Sequence, residues 1–393
     1  MVRQTTVLKS LTDTFDRFVR SEQSSSLLLI AATLVALAVT NSAAGSAYLA
    51  FWTRVVAGLS LAHWVNDGLM AVFFLLIGLE LERELYVGEL SDSKKALLPM
   101  VAAIGGMLGP ALIHYGFNAG TPAQDGFGIP MATDIAFALG VLALLGSRVP
   151  KALKVFVVAF AVMDDLGAIV LIALFYTATI SIWYLLGAVA VWLALLAMNR
   201  FGRVTTLTPY VLGGIVMWVL MLKSGVHATI AGVMLAFAIP FSAREGLSPS
   251  HRLEHGLHRP VAFAILPVFA LANAGILFGS DLLQSLASAN SIGIVAGLVV
   301  GKPLGVMLLC WIATVLGVCR LPPDLTWPHV LGAGIVGGIG FTMSIFITNL
   351  AFGANAELVN ASKMAIVAAS VVAGSLGFVW LRFGARAPSV QPG

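Results

Sequence analysis

The chain has 393 residues, 59% hydrophobic and 10% charged, with a formal net charge of +4 and a mean hydropathy of +0.97. Soluble domains carry roughly 25% charged residues, so this composition excludes a water-soluble globule. The two cysteines, Cys310 and Cys319, lie in or beside one apolar block and supply neither a disulfide framework nor metal-ligand spacing.

Residues 3–20 mix Val7, Leu8, Leu11, Phe15 and Phe18 with Arg and Lys, a pattern for a short amphipathic surface helix or a plain disordered tail. The first apolar block follows this polar stretch with no small-residue cleavage site, so it is expected to be a span and not a cleaved signal. Apolar blocks long enough to cross a hydrocarbon core of ~30 Å then recur along the chain, and in lipid such blocks are helices. The reading gives twelve spans, at 24–41, 64–86, 96–116, 123–146, 152–176, 181–199, 207–222, 226–241, 260–279, 291–313, 328–351 and 358–381. They form one transporter domain over 1–393, an all-α membrane protein with an N-terminal segment 1–22 and a tail 384–393.

Alternate connections differ sharply in charge. The side holding the N-terminus carries 18 of the 22 Lys and Arg, the other side only Arg54, Lys223 and Lys363, and Lys302 lies inside a span. Basic residues favour the cytoplasm, which places both termini there and explains the basic balance without nucleic acid.

Two spans look broken. The fourth contains Gly126-Phe-Gly-Ile-Pro-Met-Ala-Thr-Asp134 and the eleventh Gly332-Ala-Gly-Ile-Val-Gly-Gly-Ile-Gly-Phe-Thr342, and clustered Gly with Pro130 weakens a helix. Seven spans apart, they cross in opposite senses, so spans 3–5 and 10–12 would form an inverted repeat. The plainer account is that membrane helices carry glycine for close packing.

Four spans put a polar group at mid-depth: Asp134 in the fourth, Asp164 and Asp165 in the fifth, Lys302 in the tenth and Thr342 in the eleventh. Each buried charge costs about 2.5–3.5 kcal/mol on insertion scales, a cost with a functional rather than a packing reason. Adjacent helical residues point about 100° apart, so the two aspartates diverge yet repel and titrate as one unit. Such a pair can hold protons near neutrality, or a small hard cation on the same oxygens. Moving the empty, charged pair through an apolar barrier is costly, which is the logic of exchange. Lys302 needs a carboxylate partner, Asp164 being the first choice and Asp165 then the main cation ligand. Its role is either fixed counter-ion or proton donor when the cation enters. Asp134 can balance helix N-termini or touch the ion, and Thr133 offers a hydroxyl ligand.

At one mouth Glu80, Arg83 and Glu84 share a helix face, as do Glu254, His255 and His258 before the ninth span. They are either a pH-responsive group or solvated helix ends. His227 opens the eighth span as an anchor or a sensor.

These stretches resemble the NhaA-type sodium/proton antiporters. The resemblance runs through Phe73-Phe-Leu-Leu-Ile-Gly-Leu-Glu80, Ile129-Pro-Met-Ala-Thr-Asp-Ile-Ala-Phe137, Met163-Asp-Asp-Leu-Gly-Ala168, Ser224-Gly-Val-His-Ala228, Arg252-Leu-Glu-His255, Gly301-Lys-Pro-Leu-Gly305 and Gly340-Phe-Thr-Met-Ser-Ile345. Broken spans in two halves point to a transporter site, a generalisation founded partly on this same family, so the repeat is not independent support. The resemblance implies a pH-regulated, electrogenic exchanger of the bacterial inner membrane, not an enzyme. It would extrude Na+ or Li+ against a larger number of protons, by alternating access and with no cofactor. It implies that Asp164 and Asp165 bind Na+, with Thr133, and that Lys302 and Asp134 compensate charge at the crossing of the broken helices. It assigns pH response to Glu80, Arg83, Glu84, Glu254, His255 and His227, and a homodimer to the first external loop, Gly45–Ser60. Glu82 departs from the Lys expected before Arg83, and Arg259 separates His258 from Pro260; both put the pH profile in doubt.

Three other classes fit less well. An organic-solute symporter of the same architecture needs no adjacent aspartates with a lysine. Intramembrane proteases need Tyr-Asp with Gly-x-Gly-Asp, Gly-x-Ser-Gly or His-Glu-x-x-His, none of which occurs. A passive channel would show a charged ring or filter loop.

Overall fold

Long apolar runs with few interior breaks build most of the molecule from helices, and two of the breaks meet at its centre. The computed structural model describes residues 24–88, 91–177, 180–242, 248–279 and 282–385. The expected surface helix at 3–20 and all but the first two residues of the 384–393 tail lie outside them.

Among the described residues the first element is α1 (Ser24–Thr40), which turns by 118° into α2 (Gly45–Trp52). A two-stranded hairpin follows, β1 (Val55–Val56) pairing antiparallel with β2 (Leu59–Ser60), Val55 opposite Ser60. Its two turn residues, Ala57 and Gly58, both take positive φ, 51° and 86°, the backbone of a tight hairpin turn. Then come α3 (Leu61–Tyr86), α4 (Ala96–Asn118), a 3-10 segment Gln124–Met131, α5 (Ile135–Leu145), α6 (Lys151–Phe175) and α7 (Ile182–Arg200). The second half holds α8 (Thr208–Ser224), α9 (Ile230–Ala236), α10 (Pro249–Asn273) and α11 (Ala289–Val315). It ends with α12 (Trp327–Gly337), α13 (Phe341–Phe352) and α14 (Ala356–Gly384).

Among the described residues eight helices are long and apolar enough to cross a membrane, or ten if α1–α2 and α12–α13 each count as one bent span. The segment read as 207–222 is a shorter apolar helix, and within 226–241 only seven residues are α-helical. Large apolar side chains stay exposed around the perimeter, such as Leu112, Leu174, Trp183, Leu212 and Val371. No soluble domain presents such a continuous apolar surface, and lipid is the solvent that suits it.

Two elements differ from the sequence reading. The span expected at 260–279 begins at Pro249 and ends at Asn273, so Glu254, His255 and His258 ride on the spanning helix itself. Pro260 does not stop it, and the helix runs on through a π-turn at Val261–Ile265 immediately after it. A second π-turn, Gly297–Gly301, lies immediately before Lys302 and Pro303 in α11. The fourth span, read from the sequence as broken, is half 3-10, since Gly126, Gly128 and Pro130 undercut an α-helix there.

The core around these breaks depends on close backbone approach. A Cβ on Gly105 of α4 would collide with the Gly305 carbonyl of α11, one on Gly305 with the Gly105 carbonyl, and one on Gly109 with the Gly301 carbonyl. Only glycine allows this spacing, and it draws Lys302 in beneath the break.

Candidate ion site

Two interrupted elements meet at the centre. After Met131 the chain runs extended through Ala132, and the Asp134 N–H donates to the carbonyl of Ile339, 2.7 Å away, between α12 and α13. Each interruption exposes a carbonyl end and an amide end inside the protein, where backbone groups cannot stay unpaired. Ionisable side chains meet them.

Asp134 takes the amide ends. Its Oδ1 accepts from Phe137 N at 3.1 Å, capping α5, while Oδ2 accepts from Thr342 N at 3.0 Å and Thr342 Oγ1 at 2.5 Å, at the start of α13. Two positive helix ends thus offset one carboxylate.

Lys302 takes a carbonyl end and a carboxylate. Its Nζ donates to the carbonyl of Met131, the last residue of the 3-10 segment, and to Asp164 Oδ2 at 2.7 Å. Both side chains are 0% exposed. Thr133 Oγ1 lies 2.7 Å from the same Asp164 oxygen and 3.0 Å from the carbonyl of Gly337, which ends α12. One hydroxyl proton serves these two acceptors in turn.

Asp165 is different. It is 1% exposed, yet neither of its carboxyl oxygens meets a hydrogen-bond partner among the described residues, nor does Asp164 Oδ1. The three aspartates thus differ in their partners: helix ends meet Asp134, Lys302 pairs with Asp164, and among the described residues no donor reaches Asp165. An ionised carboxylate without donors is costly in this setting, and a bound proton or cation would relieve it. The oxygens of Asp165, with Asp164 Oδ1 and the Thr133 hydroxyl, are a hard-oxygen donor set.

The structure therefore gathers Thr133, Asp134, Asp164, Asp165, Lys302 and Thr342 into one buried group. It places the mouth residues elsewhere, at the end of α3 against α10. There Arg83 Nη1 lies 2.9 Å from Glu84 Oε1, Arg83 Nε donates to Glu254 Oε1 at 2.9 Å, and His258 Nδ1 is 3.5 Å from Glu80 Oε1. His255 is exposed and has no place in these ion pairs. His227 is not at this mouth; its Nε2 lies 2.7 Å from the Tyr176 carbonyl, beyond the other end of α6. Glu82, which departs from the expected Lys, is 4% exposed and accepts from Ser250 Oγ at 2.9 Å. That hydroxyl gives the buried carboxylate a donor at the position where a lysine was expected.

Sequence reasoning missed the carbonyls of Met131 and Gly337, although the Gly and Pro breaks signalled free backbone there.

Comparison with known proteins gives one answer. Residues 16–381 match the family model described as Na+/H+ antiporter 1. The chain is 66% identical over 375 residues to the Na(+)/H(+) antiporter NhaA of Dechloromonas aromatica, covering 95% of this chain and 96% of that protein. It is 57% identical to the protein of that name from Cytophaga hutchinsonii, covering 96% and 97%. Against the NhaA of an Escherichia coli O6:K15:H31 strain identity is 48%, covering 95% and 99%.

Proposed function

We propose, since this chain belongs to the Na+/H+ antiporter 1 family, that its buried carboxylates carry sodium one way and protons the other across a bacterial inner membrane. Na+/H+ antiport is the activity its relatives are named for. The observation that supports it here is Asp165, a buried carboxyl whose two oxygens meet no hydrogen-bond partner among the described residues. Sodium or lithium and protons compete for those oxygens, and either cargo neutralises the site. The bare pair does not cross.

The exchange is electrogenic, with more protons entering than sodium ions leaving, because Lys302 or the second aspartate can take up a further proton on the return. It serves sodium and pH homeostasis. Twelve spans with cytoplasmic termini, spans 3–5 inverted relative to 10–12, would carry the site by alternating access. The ion-pair group of Glu80, Arg83, Glu84 and Glu254, with His255 beside it, would set the pH response, and His227 would act from the other end. A homodimer would form through Gly45–Ser60, where Phe51, Val55 and Val56 are exposed around the hairpin.

The test uses inverted vesicles holding an imposed pH gradient and a pH-reporting dye. Sodium or lithium, but not choline, should dissipate the gradient, and Asp165→Asn should abolish the response. A full sodium response in that variant would overturn the mechanism.

A further inference from the structure

Three spanning helices each bring an asparagine to one place. Asn349 Nδ2 of α13 donates to Asn273 Oδ1 of α10 at 2.6 Å, and Asn273 Nδ2 donates onward to Asn66 Oδ1 of α3 at 2.8 Å. The same nitrogen also donates to the Phe269 carbonyl at 3.0 Å. Asn273 is the last residue of α10 and 3% exposed. Both protons of its amide are thus committed, and it is the middle member of a chain that runs one way.

Beneath the amides the same three helices supply an aromatic contact. Phe346 of α13 packs on Phe74 of α3 and on Phe269 of α10, with centroids 5.6 and 6.4 Å away, and all three rings are buried. On α13 the ring lies between Thr342 and Asn349, on α10 between Glu254 and Asn273, and on α3 between Asn66 and Arg83. The rings therefore lie nearer the middle of the molecule. The amides lie at the ends of α3 and α10 opposite the Arg83–Glu254 pair. Thr342, two turns before Asn349, holds Asp134, so α13 carries the ion site at its start and the amide chain near its end.

Apolar packing accounts for the rings and leaves the amides unexplained. A buried amide demands partners, and a leucine at each position would pack without that demand. What amides add is reversibility: when the helices part, water replaces each lost partner at little net cost. A contact that must break and re-form suits groups of this kind.

We infer that Asn66, Asn273 and Asn349 form a latch that shuts the ion site on the side away from the Arg83–Glu254 pair. The three rings are the plug behind it, and Asn273 is the residue that must let go for the cation to leave there. This role presupposes the antiport reading above and adds to it the place where the far route opens. Opening separates α13 from α10 and α3 without breaking the bonds between Thr342 and Asp134.

The test bridges the latch. In a chain with Cys310 and Cys319 replaced by Ala, Asn273→Cys and Asn349→Cys are joined by a short bis-methanethiosulfonate, with each single-cysteine variant treated alike as the control. In the vesicle assay sodium-driven proton movement should be lost on bridging and return when a reductant cleaves the bridge. A bridged protein that keeps its rate overturns the inference. Asn273→Ala instead frees the helices to part, and kinetics then separate a latch from a packing contact. The sodium KM measured from the Arg83–Glu254 side should rise by about two- to fivefold, because less of the protein is open to that side, with the maximal rate retained. A lower rate at unchanged KM means damaged packing alone and overturns it too. Accessibility gives a reading that needs no transport. Ile345→Cys, at a buried position one turn before Asn349 on the same face, should react several-fold faster with a membrane-impermeant thiol reagent from the far side when Asn273→Ala is added. Equal rates would also overturn the latch. If wild-type vesicles give no sodium response, the antiport reading falls, and the labelling rates still decide whether the amides hold the route shut.

Discussion

Asp134 Oδ2 receives both the backbone N–H and the hydroxyl of Thr342, at 3.0 and 2.5 Å, across 208 positions of sequence. With Phe137 N on its other oxygen, a single carboxylate ties together the first turns of α5 and α13.

Asp134→Ala leaves three donors without an acceptor at a buried junction. A lost cap costs ~0.5–2 kcal/mol and a stranded buried donor ~1–3 kcal/mol, so a loss of roughly 2–4 kcal/mol is expected. Asp134→Asn keeps one carbonyl oxygen and should lose about half of that. Unfolding midpoints in detergent, followed by tryptophan fluorescence, test the order. Equal midpoints for wild type and both variants would show that the junction does not depend on this carboxylate.

Lys302→Met removes the ammonium from Asp164, leaving its Oδ2 with Thr133 as partner among the described residues. Removing one partner of a buried ion pair costs ~3–5 kcal/mol, so the unfolding midpoint in detergent should fall well below that of wild type. Adding Asp164→Asn, which removes the second charge, should recover much of the loss, and a double variant no more stable than Lys302→Met alone would contradict the pairing.

Gly305→Ala places a methyl against the Gly105 carbonyl, and both partners of this contact are backbone. Overpacking costs typically ~1–3 kcal/mol, and α4 and α11 must separate to relieve it. Because Lys302 rides on α11, sodium transport should fall more than stability alone predicts. The comparison with Gly317→Ala, at a site where a Cβ meets open space but φ is +73°, separates local strain from a displaced lysine. Equal transport by both variants at equal stability would count against this coupling.

Glu82→Gln keeps an acceptor for the Ser250 hydroxyl and removes a carboxyl on which Glu254 acts. The pH profile of activity should therefore move by roughly a few tenths of a unit. Glu254→Gln, which leaves Arg83 with Glu84, should also move the profile while leaving activity at its optimum. Profiles that stay put would mark this group as solvated helix ends.

Much of the arrangement was legible because membrane physics writes it into composition. The span read at 152–176 is Lys151–Phe175, and the one at 96–116 is Ala96–Asn118, since lipid demands unbroken apolar length. The meeting of Asp134, Asp164 and Lys302 followed from depth alone. What stayed hidden depends on local backbone geometry. The π-turn before Lys302 and the one after Pro260 change how a helix winds without changing its composition, so hydropathy is blind to them. The double cap by Asp134 needs two elements 208 positions apart to stop at the same height.

The unpartnered oxygens of Asp165 bear on the size of the guest. The protein supplies these two, one more from Asp164 and a hydroxyl from Thr133, fewer than a small cation holds in its hydration shell. On the antiport reading, a sodium ion bound here would keep part of its water as co-ligands. The crossing would then take a partly dehydrated ion, and selection would fall on how readily an ion sheds the rest of its shell, its dehydration cost counting as much as its radius.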